Sequence, residues 1–224
     1  MATAKDRQSL AVWEEFHKSL LRGVEVDNSL TRQDIERQRA QLERDPIEWI
    51  KFFFPAYAKY EFAPFHIRAI RRVIANDEWY EVLSWSRELA KSTVAMFILM
   101  FLTLTRRKRF VALASATIDS AKRLLLPFKI NFESNPRIRQ FYGEQVTIGQ
   151  WTDSEFSCRC GAKFIALGAG SAPRGMRNEA IRPDVLYFDD YDTDEDCRNP
   201  VTLDKKWDWA EHALYPTRSI SEPT

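Results

Sequence analysis

The sequence has few cysteines and no excess of charge of either sign. Its 224 residues contain three cysteines, and 33 basic residues stand against 32 acidic ones, giving a formal net charge of +1. An odd number of cysteines argues against a secreted domain framed by disulfides and suits a reducing cytoplasm. The charge balance excludes a chain that is basic throughout and leaves only local patches, such as residues 106–109, to bind phosphate.

Long hydrophobic runs are also missing. The first ten residues are polar and charged, so no secretory signal is expected. The most hydrophobic stretch, residues 94–104, is far shorter than the roughly 20 apolar residues that span a bilayer. Arg106 follows this stretch closely. Residues 94–104 therefore predict a buried helix, and no membrane partner is expected.

The remaining pattern predicts one principal domain. Residues 1–45 are rich in charge and predict an N-terminal helical arm or cap, and residues 46–224 predict the main domain, which opens on a crowded aromatic segment. Strands are predicted at residues 81–85, 109–115, 164–167 and 185–188, with helices near residues 66–75 and 117–126. Apolar strands separated by helices favour an α/β fold with a parallel sheet buried on both faces.

The first motif lies between a predicted strand and the apolar helix, where a phosphate-binding loop belongs. It reads Ser86, Arg87, Glu88, Leu89, Ala90, Lys91, Ser92 and Thr93. In such a loop the lysine contacts the β and γ phosphates and the next hydroxyl holds Mg²⁺. The usual pattern has glycine at both ends, whereas this chain has Trp85 and Ala90. Taken alone, the segment favours an ordinary surface lysine.

The second motif is an apolar strand, residues 185–188, that ends in Asp189 and Asp190. An acid pair at the carboxyl edge of a sheet is typical of the Walker B arrangement, in which the first acid holds the Mg²⁺ shell and the second acts on the attacking water. A solvated acidic turn is the alternative, because acids continue to residue 196. The two motifs together, in this order and each after a predicted strand, are far more specific than either alone.

The two motifs resemble those of the large terminase subunit of tailed bacteriophages. That family's phosphate loop commonly reads Ser-Arg, two residues, Gly, Lys, and Ser or Thr, so Ala90 departs from it by one methyl group. A glycine-rich turn and an Arg-Gly-x-Arg element before the acidic strand are also similar, at residues 165–177. The resemblance covers about residues 49–209 and implies a P-loop NTPase fold of the ASCE or RecA-like type, with three layers, a mainly parallel central sheet and an N-terminal helical extension.

The resemblance implies a role for each motif residue. Lys91 and the rest of residues 86–93 would bind ATP, Ser92 and Asp189 would hold Mg²⁺, and Asp190 would be the catalytic base, with Glu195 or Asp192 as substitutes. Three arginines are further catalytic candidates, with ion pairing to the acidic segment as the alternative: Arg87, Arg174 and Arg177.

Two further groups of residues invite a functional interpretation. Phe65 and His66 lie upstream of the loop, where related ATPases bind adenine, although most such aromatics belong to the core. Cys158 and Cys160 suggest a metal site, but a structural zinc site needs about four ligands. A β-hairpin with two incidental thiols is the better interpretation of this pair.

The resemblance also implies how the chain would act. It predicts ATP hydrolysis with Mg²⁺ in a homo-oligomeric ring on a procapsid, in the host cell cytoplasm, with double-stranded DNA, the portal protein and the small terminase subunit as partners. A coupling motif and a nuclease domain, which the family carries after the acidic strand, are not expected here, so no nuclease activity is predicted.

Two other functions remain open. A superfamily 2 helicase or translocase shares both motifs but needs a second motor domain. A non-catalytic nucleic-acid-binding scaffold, whose degenerate loop no longer binds ATP, is suggested by Trp85 and Ala90 in place of glycines. Nucleotide binding separates this scaffold from the motor.

Overall fold

The computed structural model describes residues 14–15, 17–19, 21–172, 181–219 and 224. In chain order its helices are α1 (Arg32–Leu42), α2 (Pro46–Phe53), α3 (Pro64–Ala75), α4 (Lys91–Leu104), α5 (Ile118–Ser134), α6 (Pro136–Tyr142) and α7 (Pro200–Trp209). Its strands are β1 (Phe110–Ser115), β2 (Val146–Trp151), β3 (Glu155–Cys158), β4 (Lys163–Gly168) and β5 (Val185–Phe188). Single turns of 3₁₀ or π-helix occupy Asp196–Arg198, Ala210–Leu214 and Tyr215–Thr217. The chain therefore has an α/β architecture.

Side chains at the helix starts explain several of these boundaries. At α1 the Thr31 hydroxyl accepts the Asp34 N–H, and the Asp34 carboxylate accepts the Thr31 N–H. At α2 the Asp45 carboxylate accepts the Ile47 N–H, and at α5 the Thr117 hydroxyl accepts a first-turn N–H. Each cap satisfies a donor that has no partner within its helix, which fixes where the helix begins.

The five strands form one sheet in the order β2-β3-β4-β1-β5. Strand β1 lies between β4 and β5 and is parallel to both, with Leu113 opposite Ala166 on one side and Tyr187 on the other. Strand β3 is antiparallel to both β2 and β4. The sheet is thus mixed, not mainly parallel. Only short turns join β2 to β3 and β3 to β4, and a parallel pair needs a crossover of a dozen or more residues.

The core lies around the sheet centre and α4. All six residues of β1 are buried, and α4 is buried on every side from Val94 to Leu104, which confirms the predicted buried helix. The aromatic segment after Pro46 packs against it, with Trp49 and Phe53 fully buried and Trp49 edge-on to Phe101. Within the described ranges, no helix is both long and apolar enough to cross a membrane.

The strand predicted at residues 81–85 is absent from the sheet. The segment has no regular secondary structure. Its side chains alternate in exposure, with Val82 67% exposed, but it joins no strand ladder among the described residues. Strand β5 pairs with β1 alone among the described strands. The predicted strand is therefore wrong, because a strand also requires a hydrogen-bonded neighbour, which the local sequence does not encode.

The N-terminal region contacts the rest of the chain through polar side chains. Residues 14–15 and 17–19 are helical, and the His17 Nε2 lies 2.8 Å from the Ser134 Oγ at the end of α5. In α1, the Arg39 guanidinium donates to the Phe141 carbonyl at 3.0 Å. These contacts hold the predicted helical arm against α5 and α6.

Candidate functional site

The loop at residues 86–90 leads directly into α4, which begins at Lys91. Its backbone adopts the left-handed conformation twice, with φ of 66° at Glu88 and 55° at Ala90. A residue with a Cβ costs roughly 1–2 kcal/mol in this conformation, which glycine adopts freely. The loop therefore follows a backbone path that favours glycine although its sequence carries none.

The N-terminus of α4 has no side-chain cap. Ala90 is the N-cap residue and offers no acceptor, and the first turn contains no acidic residue. Of the other described helices, α1, α2, α5, α6 and α7 begin with a side chain that accepts a first-turn N–H, whereas α3, which begins at Pro64, also lacks a side-chain cap. Because unsatisfied N–H groups and the positive end of the helix dipole attract anions, the start of α4 is suited to bind a phosphate.

The Lys91 ammonium turns back onto the loop. It donates to the Trp85 carbonyl at 2.7 Å, and its side chain is half-buried. This bond joins the two ends of the loop and keeps the cation beside the N-terminus of α4. The ammonium is therefore already positioned in the loop, and its two remaining N–H groups can donate to a bound phosphate.

A hydroxyl on α4 meets the acid that follows β5. The Ser92 hydroxyl donates to the Asp189 carboxylate at 2.5 Å, and the Tyr187 hydroxyl donates to the same carboxylate oxygen at 2.7 Å. Burial and then the Asp189 charge raise the pKa of Tyr187, so its hydroxyl remains a donor at neutral pH. Two hydroxyls thus fix the orientation of Asp189. The contact also brings Ser92 and Asp189 together, although they are 97 positions apart in sequence.

Asp190 has a distorted backbone and an exposed side chain. Its φ of 44° lies in the left-handed region, and its carbonyl accepts the Ala116 N–H at 3.1 Å and the Ser115 hydroxyl at 3.3 Å. These bonds at the end of β1 hold a conformation that is costly for a residue other than glycine. Asp189 and Asp190 lie together at the carboxyl edge of the parallel strands, as the acid-pair motif predicts.

The aromatic residues upstream of the loop form a compact cluster. The Phe65 and His66 rings lie 4.2 Å apart, and the Trp85 ring lies 5.0 and 5.2 Å from them. The His66 Nδ1 accepts the Ala63 N–H at 3.2 Å, which leaves its Nε2 to donate to the Leu89 carbonyl at 3.0 Å. His66 therefore ties the loop to α3, and this contact does not test the predicted role of Phe65 and His66 in binding adenine.

The predicted arginines divide into two groups. Arg87 is exposed in the loop and forms no ion pair with any described residue, so the alternative of a salt bridge to the acidic segment is not observed there. Arg174 and Arg177 lie outside the described residues. Asp192, one of the substitute bases, has a buried carboxylate oxygen without a hydrogen bond in the described part of the chain.

The oxygen atoms around Asp189 fit one type of metal site. No cluster of three or more His, Cys, Asp or Glu side chains able to hold a metal occurs among the described residues, which argues against an all-protein cage in that part of the chain. Mg²⁺ commonly uses one or two protein oxygens together with water and substrate phosphates. The Ser92 hydroxyl and the Asp189 carboxylate, already in contact, match that requirement.

The two thiols near the sheet edge fit the hairpin interpretation. Cys158 ends β3 and Cys160 lies in the turn before β4, and both are free. The Cys158 N–H donates to the Ala162 carbonyl and the Gly161 N–H donates to the Cys158 carbonyl, bonds that close a hairpin. No metal cluster includes either thiol among the described residues.

The sequence did not predict one residue of the site, Tyr187, and one contact, between His66 and the Leu89 carbonyl. Tyr187 could have been found, because residues two apart on a strand share a face and Tyr187 precedes Asp189 by two. The link from His66 to the Leu89 carbonyl had no sequence signal, since it joins a side chain to a backbone atom 23 residues away.

The site combines a loop lysine, an uncapped helix N-terminus, a serine hydroxyl and an acid pair at one edge of the sheet. These groups can bind a phosphate together with a divalent cation. The chain matches no protein-family model and no curated protein sequence.

Proposed function

We propose that the chain is the ATP-hydrolysing motor domain of a viral DNA-packaging enzyme, a P-loop ATPase of the large terminase type. The observation that carries this proposal is the contact between Ser92, at the start of α4, and Asp189, after β5. This contact joins the loop motif to the acid-pair motif, as hydrolysis of a nucleotide requires. An ordinary surface lysine beside an unrelated acidic turn would not need this juxtaposition.

In this proposal each group acts at a defined part of ATP. Lys91 and the free N–H groups of α4 bind the phosphates, and Asp190 accepts the proton of the attacking water. Tyr187 holds the Asp189 carboxylate in position. Ser92 and Asp189 would hold Mg²⁺, which would neutralise charge on the phosphates. Arg87, exposed and without an ion pair among described residues, is available to a phosphate oxygen.

The larger assembly follows from the same proposal. The motor would work as a homo-oligomeric ring with the portal protein and the small terminase subunit, and it would move double-stranded DNA into a procapsid. Such a motor grips the phosphate backbone without reading bases. These partners rest on the resemblance of residues 86–93, 165–177 and 182–190 to the terminase family.

One observation favours a second function, a scaffold that binds no nucleotide. Lys91 is bonded to the Trp85 carbonyl, and Ala90 carries a Cβ in a left-handed conformation. If the loop cannot open around a phosphate, Lys91 would serve only to close it. Measurement of ATP hydrolysis separates this scaffold from the motor.

Lys91→Ala is expected to lower Mg²⁺-dependent ATP hydrolysis at least about 100-fold, because it removes a cation aimed at the transferred phosphoryl group. The measurement is phosphate release at several ATP concentrations. The matched control is Lys51→Ala, an exposed lysine paired with Glu48 on α2, which should leave the rate unchanged. A folded wild-type chain with no activity, or a Lys91→Ala variant as active as the control, would reject the motor function for this chain.

Tyr187→Phe is expected to lower kcat about fivefold with little change in KM, because Asp189 loses one of two orienting hydrogen bonds, each worth roughly 1 kcal/mol. The readout is the separation of kcat from KM in steady-state kinetics. Tyr80→Phe, at a tyrosine that is 80% exposed, is the control. An unchanged kcat in Tyr187→Phe would mean that the hydroxyl does not position Asp189 for the reaction.

A further inference from the structure

A cavity lies away from the loop and Asp189. It has a volume of about 540 Å³ and opens between the helical N-terminal residues and the segment after α2. Its lining is Glu15, Lys18, Ser19, Arg22, Ala56, Tyr57 and Lys59. This volume is within the range of small-molecule sites, roughly 300–1,000 Å³. None of these residues belongs to the site at the start of α4.

The cavity wall has an excess of positive charge. Lys18, Arg22 and Lys59 face one acid, Glu15, and none of the three cations forms an ion pair within the described ranges. Some other exposed cations are paired, as Arg32 is with Glu36. Three neighbouring cations of one sign repel one another, and an anion bound between them would relieve this repulsion.

We propose that this cavity binds a phosphate group, with Lys18, Arg22 and Lys59 as its charged contacts. Lysine and arginine are the side chains that most often bind phosphate oxygens. The phosphate can belong to a nucleic-acid backbone or to a free phosphate or nucleotide. The proposal is independent of ATP hydrolysis at Lys91, because the two sites share no residue.

The test uses the full chain with Lys91→Ala, which removes phosphate binding at the loop. One variant adds Lys18→Gln, Arg22→Gln and Lys59→Gln. A charge-matched control instead adds Arg32→Gln, Arg37→Gln and Lys51→Gln, three exposed cations with acidic partners. A fluorescent DNA duplex is titrated by anisotropy at several salt concentrations, and inorganic phosphate and ATP by calorimetry, without Mg²⁺. Circular dichroism checks that both variants are folded.

We expect the cavity variant to bind at least one of these ligands at least tenfold more weakly than the control does. If the source is the DNA backbone, the slope of log K against log salt should fall by up to about 2.7, which is about 0.9 for each of three phosphate contacts. If it is a free phosphate, only the calorimetric affinity should fall. Equal affinities of the two variants for every ligand would overturn the proposal.

Discussion

Asp189→Asn is expected to lower the rate of ATP hydrolysis at least about 100-fold while ATP affinity changes little. The amide is similar in size and can still accept a hydrogen bond from Ser92 or Tyr187, but it loses the negative charge that the metal shell requires. Because Lys91 and the N-terminus of α4 remain intact, the phosphates should still bind. The measurement combines phosphate release with titration of an ATP analogue on the same samples.

The control for this variant is Asp204→Asn, at an exposed aspartate on α7. It makes the same chemical change away from the loop and should leave both rate and affinity unchanged. If Asp189→Asn hydrolyses ATP as fast as the Asp204→Asn control does, Asp189 has no part in the reaction. Its contact with Ser92 would then be a structural hydrogen bond between α4 and β5.

Gly168→Ala is expected to lower the free energy of unfolding by about 2–3 kcal/mol, because overpacking at a rigid contact forces the backbone to move. A Cβ at Gly168 would lie 2.7 Å from the Ile118 backbone nitrogen and 3.2 Å from the Thr117 carbonyl carbon. Both atoms belong to the start of α5, which therefore has to shift away from β4. Urea denaturation followed by circular dichroism measures the change.

Gly161→Ala is the comparison for this prediction. Gly161 has a φ of 94° but open space around its Cα, so an alanine there should cost only the strain of a left-handed residue, roughly 1–2 kcal/mol. A larger loss at Gly168 than at Gly161 would support the close approach of β4 to α5. An equal or smaller loss at Gly168 would contradict it.

Most of the buried fold could be predicted from apolar runs. The helix α4 and the strands β1, β4 and β5 correspond to predicted elements, because each has an unbroken apolar run. Only α4 from Val94 onward and β1 are fully buried, whereas β5 is half-buried and its Phe188 is exposed, so the expected burial of the sheet on both faces does not extend to β5. Residues 81–85 were predicted as a strand. Whether a segment pairs into a sheet depends on an adjacent strand, which the local sequence does not identify. The antiparallel β2 and β3 make the sheet mixed, and only the turn near Cys160 hinted at them.

The candidate site could be predicted in part. Lys91, Ser92, Asp189 and Asp190 were identified from two motifs, and the structure brings the two motifs into contact. The absence of glycine at Ala90 argued against a phosphate loop in the sequence, yet the backbone there is left-handed all the same. Side-chain contacts to backbone atoms, such as that of His66, depend on tertiary packing and leave no local pattern.

The most direct test of nucleotide binding at the α4 loop is titration of a fluorescent ATP analogue against the chain, with and without Mg²⁺. Circular dichroism of the same samples establishes that wild type and Lys91→Ala are folded. We expect saturable binding by the wild-type chain, strengthened by Mg²⁺ and lost in Lys91→Ala. A folded wild-type chain that binds no analogue, or a Lys91→Ala variant that binds it equally well, would contradict the assignment of this loop to ATP.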